Sequence, residues 1–314
     1  MADVYLDPWK PVQKALITHA HSDHARSGSR EYLAHGDSEA LLRLRLGKNI
    51  LLQTVRYGEV ILINGVRFSF HPAGHILGSA QIRAEYKGEV WVFSGDYKLE
   101  HDGFCAGFEP VKCHTFISES TFGLPVYRWK PQVEVFSEMN SWWAQNAREG
   151  ICSVVVAYSL GKAQRILKHL DQSIGKVYVH PSIYAMHQTI RANGFQLPND
   201  FLFDKNVKDL GYKQGLLLIP PGADSGEWMH KLGEFDQAFA SGWMQIRGAR
   251  RRSNASKGFV LSDHADWDGL NTAVKWSGAE RVIVTHGYTA AFAKWLCDNG
   301  LQAEVAKTDY SSEA

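Results

Sequence analysis

Only four cysteines occur in the 314 residues, at 105, 113, 152 and 297, and no two stand in a CxxC spacing. This argues against a disulfide-stapled secreted module and against a cysteine-ligated zinc ribbon, and predicts reduced thiols in a cytoplasmic protein. Apolar runs are also short: none approaches the ~20 residues that cross a bilayer. The opening stretch MADVYLDPWKP lacks a basic segment leading into an apolar one, so no signal peptide is expected. Charge of one sign is missing too. Thirty-four Lys and Arg stand against 33 Asp and Glu, a formal net charge of +1. With no overall basic field, any binding of a polyanion must rest on a local patch. No internal repeat or low-complexity linker interrupts the chain. What remains, 45% hydrophobic and 21% charged residues, is the balance of a globular protein with one large domain or two ordinary ones.

Histidine is what the chain has in excess, fourteen in all. Three of them fall in His19-Ala-His21-Ser-Asp23-His24, after Ala15-Leu16-Ile17, which reads as a buried strand. Imidazole nitrogen and carboxylate oxygen are ligands that zinc, manganese and iron accept. His19 and His21 lie two apart and can reach one point at a strand end. Asp23 and His24 follow a turn and can reach a second. Upstream, Asp7 can orient a ligand histidine or merely open a turn before Pro8. Downstream, His75 sits between Gly74 and Gly78 and is the next candidate ligand, while His71 reads as structural. The strand Val90–Ser94 runs into Gly95-Asp96, a typical position for a carboxylate that bridges two metals. Glu119 stands at the end of another strand, in ISESTFG. His264, in LSDHAD, and His286, in VTHG, each follow a strand.

Other elements are legible in outline. A helix is predicted over Ser38–Leu46, and a hairpin joins Val60–Ile63 to Val66–Phe70 through Asn64-Gly65. Strand Gln81–Tyr86 pairs with Val90–Ser94 across Lys87-Gly88-Glu89. Beyond Leu124 the pattern changes. A helix over Pro131–Asn146, a strand over Ile151–Ala157, a helix opening at Tyr158, then strand, helix and strand at 177–180, 182–193 and 215–219 predict a parallel α/β unit. The helix opening at Ser159 and Lys162 can offer N–H groups to a phosphate, or can be an ordinary strand-to-helix turn. Arg247, Arg250, Arg251 and Arg252 form the one strong basic cluster, either a grip on a phosphate backbone or a solvated loop.

These residues together resemble a known pattern. HAHSDH, the His75 segment, SGD at Asp96 and THG at His286 are similar to the metallo-β-lactamase hydrolase fold. ISESTFG, LSDHAD and VTHG resemble three further motifs of its nucleic-acid-processing branch, the β-CASP nucleases. The likeness runs from Asp7 to His286. Within the branch, DPWKPVQKALITHAHSDHA, HPAGHILGSAQIR, VFSGDYK and FGLPVYRW resemble the bacterial ligase-associated DNA exonucleases.

The resemblance implies an α/β protein: an αββα sandwich formed by residues 1–123 and 247–314, with an α/β cap, residues 124–246, inserted in it. It implies two divalent metal ions, zinc or manganese. His19, His21 and His75 would hold one, Asp23, His24 and His286 the other, and Asp96 would bridge them. The activity implied is a metal-dependent DNA exonuclease in repair, in which a metal-activated hydroxide attacks the phosphodiester and Asp23 hydrogen-bonds that hydroxide. Glu119 would support His264, which would protonate the leaving oxygen. Ser159, Lys162, Arg247, Arg250 and Arg251 would bind substrate phosphates. The partners implied are DNA and, in function, an ATP-dependent DNA ligase and a helicase. The chain departs from the pattern at its start, where few residues precede Asp7, so either the sheet lacks an edge strand or the start codon is misassigned. His286 is shared with RNA-processing members of the branch, which makes an RNA-processing nuclease the leading alternative. A non-catalytic nucleic-acid-binding protein stands behind it, and a small-molecule hydrolase has no need of the cap, Glu119 or His264.

Overall fold

The computed structural model describes residues 2–204, 212–224, 227–246, 248 and 255–307. The chain is a mixed α/β protein, with three sheets among the described residues, and it divides into two compact units: Met1–Arg128 with Asp263–Ala314, and Trp129–Ser262.

The first unit begins with β1 (Tyr5–Leu6), β2 (Lys14–Leu16), β3 (Glu31–His35) and β4 (Leu52–Val55), a parallel sheet in that order. Helix α1 (Glu39–Leu46) lies between β3 and β4 in the chain. A seven-stranded sheet contains β5 (Val60–Ile63), β6 (Val66–Pro72), β7 (Ala80–Tyr86), β8 (Glu89–Phe93) and β9 (Thr115–Ser120), extended at its far edge by β16 (Arg281–Gly287) and β17 (Gln302–Val305). Strands β5 to β8 form an antiparallel meander, and β8, β9, β16 and β17 run parallel. Two tight turns set the meander's register. Asn64-Gly65 and Lys87-Gly88 all have positive φ, the geometry that matches the twist of paired strands. Leu16, Leu33 and Val55 of the first sheet share a core with Phe68, Phe70, Ala80 and Ile82 of the second. Helices Trp267–Ser277 and Thr289–Asp298 bring Leu270, Val274, Phe292 and Leu296 against Val92, Phe116, Val282 and Val284.

The second unit is a six-stranded parallel sheet, order β12-β11-β13-β10-β14-β15, built from β10 (Cys152–Val156), β11 (Val177–Val179), β12 (Phe201–Leu202), β13 (Leu216–Ile219), β14 (Phe235–Ala240) and β15 (Lys257–Phe259). Central strands β10 and β13 are buried along their whole length, so their sequences are unbroken apolar or small-residue runs. Helix α2 (Gln132–Glu149) buries Val135, Phe136, Met139, Trp143 and Asn146, a stripe at three- and four-residue spacing, and stops at left-handed Gly150. Helices α3 (Lys162–His169) and α4 (Pro181–Ala192) complete the unit.

The boundaries of the units differ from those read in the sequence. They fall after Arg128 and Ser262, not after 123 and 246. Strand β15 explains the second shift, because it pairs with β14 from Ala238↔Lys257 to Ala240↔Phe259 and so stays with the six-stranded sheet. Tyr127 explains the first: its carbonyl accepts from Trp267 N and its hydroxyl lies 3.0 Å from that of Tyr288, both in the first unit. Among the described residues, no helix is long and apolar enough to cross a membrane.

Candidate metal centre

The chain leaves β2 at Leu16, and Thr18 carries it into the histidine segment. His24 N and Ala25 N both donate to the His21 carbonyl, closing a tight turn. That turn separates His19 and His21 from Asp23 and His24. His75 enters from the β6–β7 connection, Asp96 from just beyond β8, Glu119 from the end of β9, His264 from the segment after β15, and His286 from the end of β16. Two glycines permit this approach. Gly74 has φ +73°, and a Cβ there would lie 2.1 Å from the Lys98 carbonyl oxygen. Gly95 has φ +56°, and a Cβ there would strike the Thr18 side chain at 2.7 Å.

His19 Nε2 and His75 Nε2 stand 3.1 and 3.0 Å from His21 Nδ1. Asp96 Oδ2 lies 3.6 Å from His19 Nε2 and 3.8 Å from His75 Nε2. A tetrahedral cation with bonds near 2.0–2.1 Å needs donor–donor edges of roughly 3.3–3.4 Å. These four side chains therefore have the spacing and the donor atoms of a metal site. The outer ring nitrogens explain why they face inward. His75 Nδ1 lies 2.8 Å from the Asp263 carbonyl, to which it can only donate. Thr18 Oγ1 donates to Asp7 Oδ2 at 2.6 Å and so accepts from His19 Nδ1 at 2.9 Å. Both Nε2 atoms are thus left as lone-pair acceptors facing His21 Nδ1, which can donate to only one of them at a time, and a cation would serve all three nitrogens.

His24 begins a second half-site. Its Nδ1 donates to Asp7 Oδ2 at 2.8 Å. Its Nε2 is buried with no hydrogen-bond partner and lies 3.4 Å from Asp96 Oδ2 and 3.8 Å from Asp23 Oδ2. The His286 ring stacks on it at 5.3 Å. A buried imidazole nitrogen facing two carboxylates fits a second cation, with Asp96 shared between the halves. Asp7 acts on both halves, holding His24 directly and His19 through Thr18, while itself accepting from Thr18 N at 2.8 Å.

Beside these groups stands a dyad. Glu119, 1% exposed, accepts from Tyr97 N at 2.7 Å and from Thr121 Oγ1 at 2.5 Å, and its Oε2 lies 2.9 Å from His264 Nδ1. His264 is also 3.9 Å from Asp96 Oδ2, and its ring lies 4.7 Å from that of His75.

The electrostatics divide the histidines. Burial, reinforced by neighbouring imidazoles, holds His19 and His75 well below the usual histidine pKa, so both are neutral. Burial opposes charge on His24 as well, but Asp96 and the Asp7 hydrogen bond outweigh it and raise the pKa well above the usual value. His264 is raised to about 9, because Glu119 and Asp96 overcome its burial. Burial alone would raise the Asp96 pKa, yet the charges of His24 and His264 hold it well below the carboxylate range. A cation joining the His24 half must therefore displace a proton from that ring.

The structure thus brings His19, His21, His75 and Asp96 into one cluster, sets His24 with Asp23 and His286 beside it, and pairs His264 with Glu119. Ser159 and Lys162 lie in the other unit. Ser159 Oγ is 3.4 Å from Ser182 Oγ, and Lys162 is buried with its ammonium 4.7 Å from the Tyr158 ring centre. Arg247, Arg250 and Arg251 lie outside the described residues. Two supporting groups escaped the sequence reading. The Thr18 hydroxyl was hidden because it works through a relay, and the Asp263 carbonyl because a backbone atom leaves no mark in a sequence. The SDH context of His264 was the only hint of the latter.

No family model matches the chain. It is 30% identical over 313 residues to a "Probable DNA ligase" of Opitutus terrae, an alignment covering 98% of this chain and 30% of that protein. It is 31% identical over 184 residues to "Cleavage and polyadenylation specificity factor subunit 3" of Dictyostelium discoideum, covering 51% of this chain and 23% of that one. It is 32% identical over 137 residues to "Endoribonuclease YSH1" of Yarrowia lipolytica, covering 43% and 16%. The chain therefore spans less than a third of the length of each of these relatives. Among solved structures it resembles a protein of unknown function from Enterococcus faecalis V583, with TM-score 0.63 and 11% identity over 94% of this chain and 79% of that one.

Proposed function

We propose that this chain is a metal-dependent nuclease of the metallo-β-lactamase fold and its β-CASP branch, and that it acts as a DNA exonuclease in repair. The observation that carries the reading is the convergence of His19, His21, His75, His24 and Asp96, with the Glu119–His264 dyad against them. In this reading the two-sheet unit is the catalytic sandwich and Trp129–Ser262 the inserted cap. Nucleic-acid processing in the names of two relatives supports a nucleic-acid substrate. Similarity along nearly the whole chain to part of a protein named as a DNA ligase favours DNA, and fits work alongside a ligase and a helicase. Four cysteines without a disulfide suit the cytoplasm.

His19, His21 and His75 would hold one divalent cation, zinc or manganese, and Asp23, His24 and His286 a second, with Asp96 serving both. Bound cations of this kind neutralise phosphate charge and lower the pKa of water, so that hydroxide is available at neutral pH. The chain's own residues do the rest. Asp7 keeps two imidazoles in the tautomer that faces inward. Asp23, 55% exposed, is free to accept a hydrogen bond from an attacking water. His264, held protonated by Glu119, donates a proton to the departing sugar oxygen, a contribution worth ~10²–10⁴ in rate.

The test is digestion of matched single-stranded DNA and RNA, labelled at either end, with zinc, manganese or magnesium. Release of labelled mononucleotide from one DNA end is the expected result. His264→Ala should retain its metals and lose ~10²-fold or more of turnover. Undiminished turnover would remove His264 from the mechanism. Preferential cutting of RNA would move the chain to the second reading, an RNA-processing nuclease, which the endoribonuclease relative favours.

A further inference from the structure

The turn that aims Asp23 and His24 at the metal half-site also presents Ser22 and Arg26, four residues apart, to a different space. A cavity of about 340 Å³ is lined by Trp9, Ser22, Ala25, Arg26, Ser27, Arg45 and Leu46. Two arginines line it from separate elements, Arg26 from the histidine turn and Arg45 from the last turn of α1. The Arg26 guanidinium carbon lies 3.6 Å from the centre of the Trp9 ring, which fixes the plane of the fork. The Nε atoms of Arg26 and Arg45 are both buried, and neither has a hydrogen-bond partner among the described residues. Arg43, two residues earlier on α1, shows what an arginine here does when satisfied: its Nε donates to Glu39 at 2.8 Å and its Nη1 to the Lys48 carbonyl at 2.9 Å. Burial lowers the Arg45 pKa and the Asp23 carboxylate opposes this, which places Arg45 within electrostatic reach of a candidate metal ligand.

We propose that this cavity is an anion subsite, in which the forks of Arg26 and Arg45, with the hydroxyls of Ser22 and Ser27, grip a phosphate group of the nucleic-acid strand beside the scissile bond. The proposal rests on the nuclease reading for its ligand. Planar, multiply donating guanidinium groups match phosphate oxygens, and unpaired buried N–H groups are what such a ligand satisfies. Two sources share the chemistry: a terminal phosphate monoester, and an internal diester next to the cut.

The test is binding of short single-stranded DNA to manganese-loaded His264→Ala protein, read by fluorescence anisotropy over a range of salt. The strands carry a 5′ phosphate, a 3′ phosphate, no terminal phosphate, or one neutral methylphosphonate at each internal position in turn. Arg26→Gln and Arg45→Gln should each weaken binding about tenfold or more and flatten the slope of log K against log salt by ~0.7. One strand modification should cost the same factor in the parent and nothing further in Arg45→Gln, and its position identifies terminal or internal phosphate. Arg45→Lys should keep the salt slope while losing affinity, because charge remains without the fork. Unchanged metal content and melting temperature certify the fold. If Arg26→Gln loses the fold with its Trp9 stack, Arg45→Gln decides alone. Wild-type affinity and slope in Arg45→Gln, or a loss independent of every phosphate modification, overturns the subsite. A wild-type protein that binds these strands but cuts none with any metal sinks the nuclease reading and leaves the subsite standing.

Discussion

Replacing Glu119 by glutamine tests the dyad with little change of shape. The Glu119 carboxylate is buried, accepts from Tyr97 N and Thr121 Oγ1, and lies 2.9 Å from His264 Nδ1. Burial works against the charged ring, and Glu119 leads the carboxylates that nevertheless raise the His264 pKa from 6.5 to about 9, ahead of Asp96 at 3.9 Å and Asp263. That rise corresponds to roughly 3 kcal/mol of preference for the protonated ring. Glutamine keeps an oxygen acceptor and removes the charge. In protein stripped of metal by chelation, His264 should titrate near 9 in the wild type and about one unit or more lower in Glu119→Gln, followed by NMR of the imidazole nitrogens. An unchanged titration would refute the claim that Glu119 holds the proton. The sign for stability follows from a folded pKa raised above the unfolded one. The contribution is complete below about 6.5 and is lost as pH rises through about 9. The melting-temperature gap between wild type and Glu119→Gln should therefore be widest near pH 6 and should narrow above 8. With cations bound, the Asp96 charge would be offset, and the hold on His264 would fall chiefly to Glu119. The alkaline fall in activity should then move to lower pH in Glu119→Gln.

Further outcomes follow from the same geometry. Asp7→Asn should weaken metal binding by ~10–100-fold, since one carboxylate orients His24 directly and His19 through Thr18; equilibrium dialysis against a competing chelator checks it. Gly74→Ala puts a Cβ 2.1 Å from the Lys98 carbonyl oxygen at φ +73°, and should cost ~2 kcal/mol or more in urea unfolding. Metal titration of chelator-stripped protein should show two unequal equivalents, and Asp23→Asn should weaken the second alone; a single equivalent class would contradict the two-half arrangement. Trp143→Ala in the six-stranded unit should cost ~3–5 kcal/mol, read by thermal unfolding, because α2 carries this fully buried indole into the core shared with the sheet.

Much of the centre was legible because its residue types are chemically narrow. Three imidazoles and a carboxylate after a buried run, and an aspartate after Ser94-Gly95 at a strand end, admit few structural explanations, and the structure brings them together. The hairpins at Asn64-Gly65 and Lys87-Gly88 were visible for a local reason, since positive φ at both turn residues selects for them. What stayed hidden depends on folding over distance. Strand β15 belongs with β14 through a parallel pairing that no short window contains, and this moved the unit boundary to Ser262. Strand β17 is an exposed edge strand without a clear alternation of burial. Arg45 lies on a helix, and nothing near it in the sequence connects it with Arg26. Only the folded chain puts both at one cavity.

The two halves of the centre are not equivalent, and the difference has a physical origin. The His19, His21 and His75 nitrogens stand 3.0–3.1 Å apart along two of their edges, with His19 and His75 already neutral through burial and His75 fastened to a backbone carbonyl. A cation entering there finds its ligands oriented and displaces no proton from those two rings. The other half contains His24, whose pKa is raised by Asp96 and Asp7, together with Asp23, which is largely exposed, and His286, whose ring stacks on that of His24. A cation entering there would have to expel a proton from His24 and draw in an exposed carboxylate, so it would bind more weakly and with the stronger dependence on pH. Asp96 couples the events. With a cation in the first half, the Asp96 charge that keeps His24 protonated would be offset, and the cost of deprotonating His24 would fall. Filling would then be cooperative in its proton release while unequal in affinity, the behaviour expected of a centre in which the better-oriented half would organise the other.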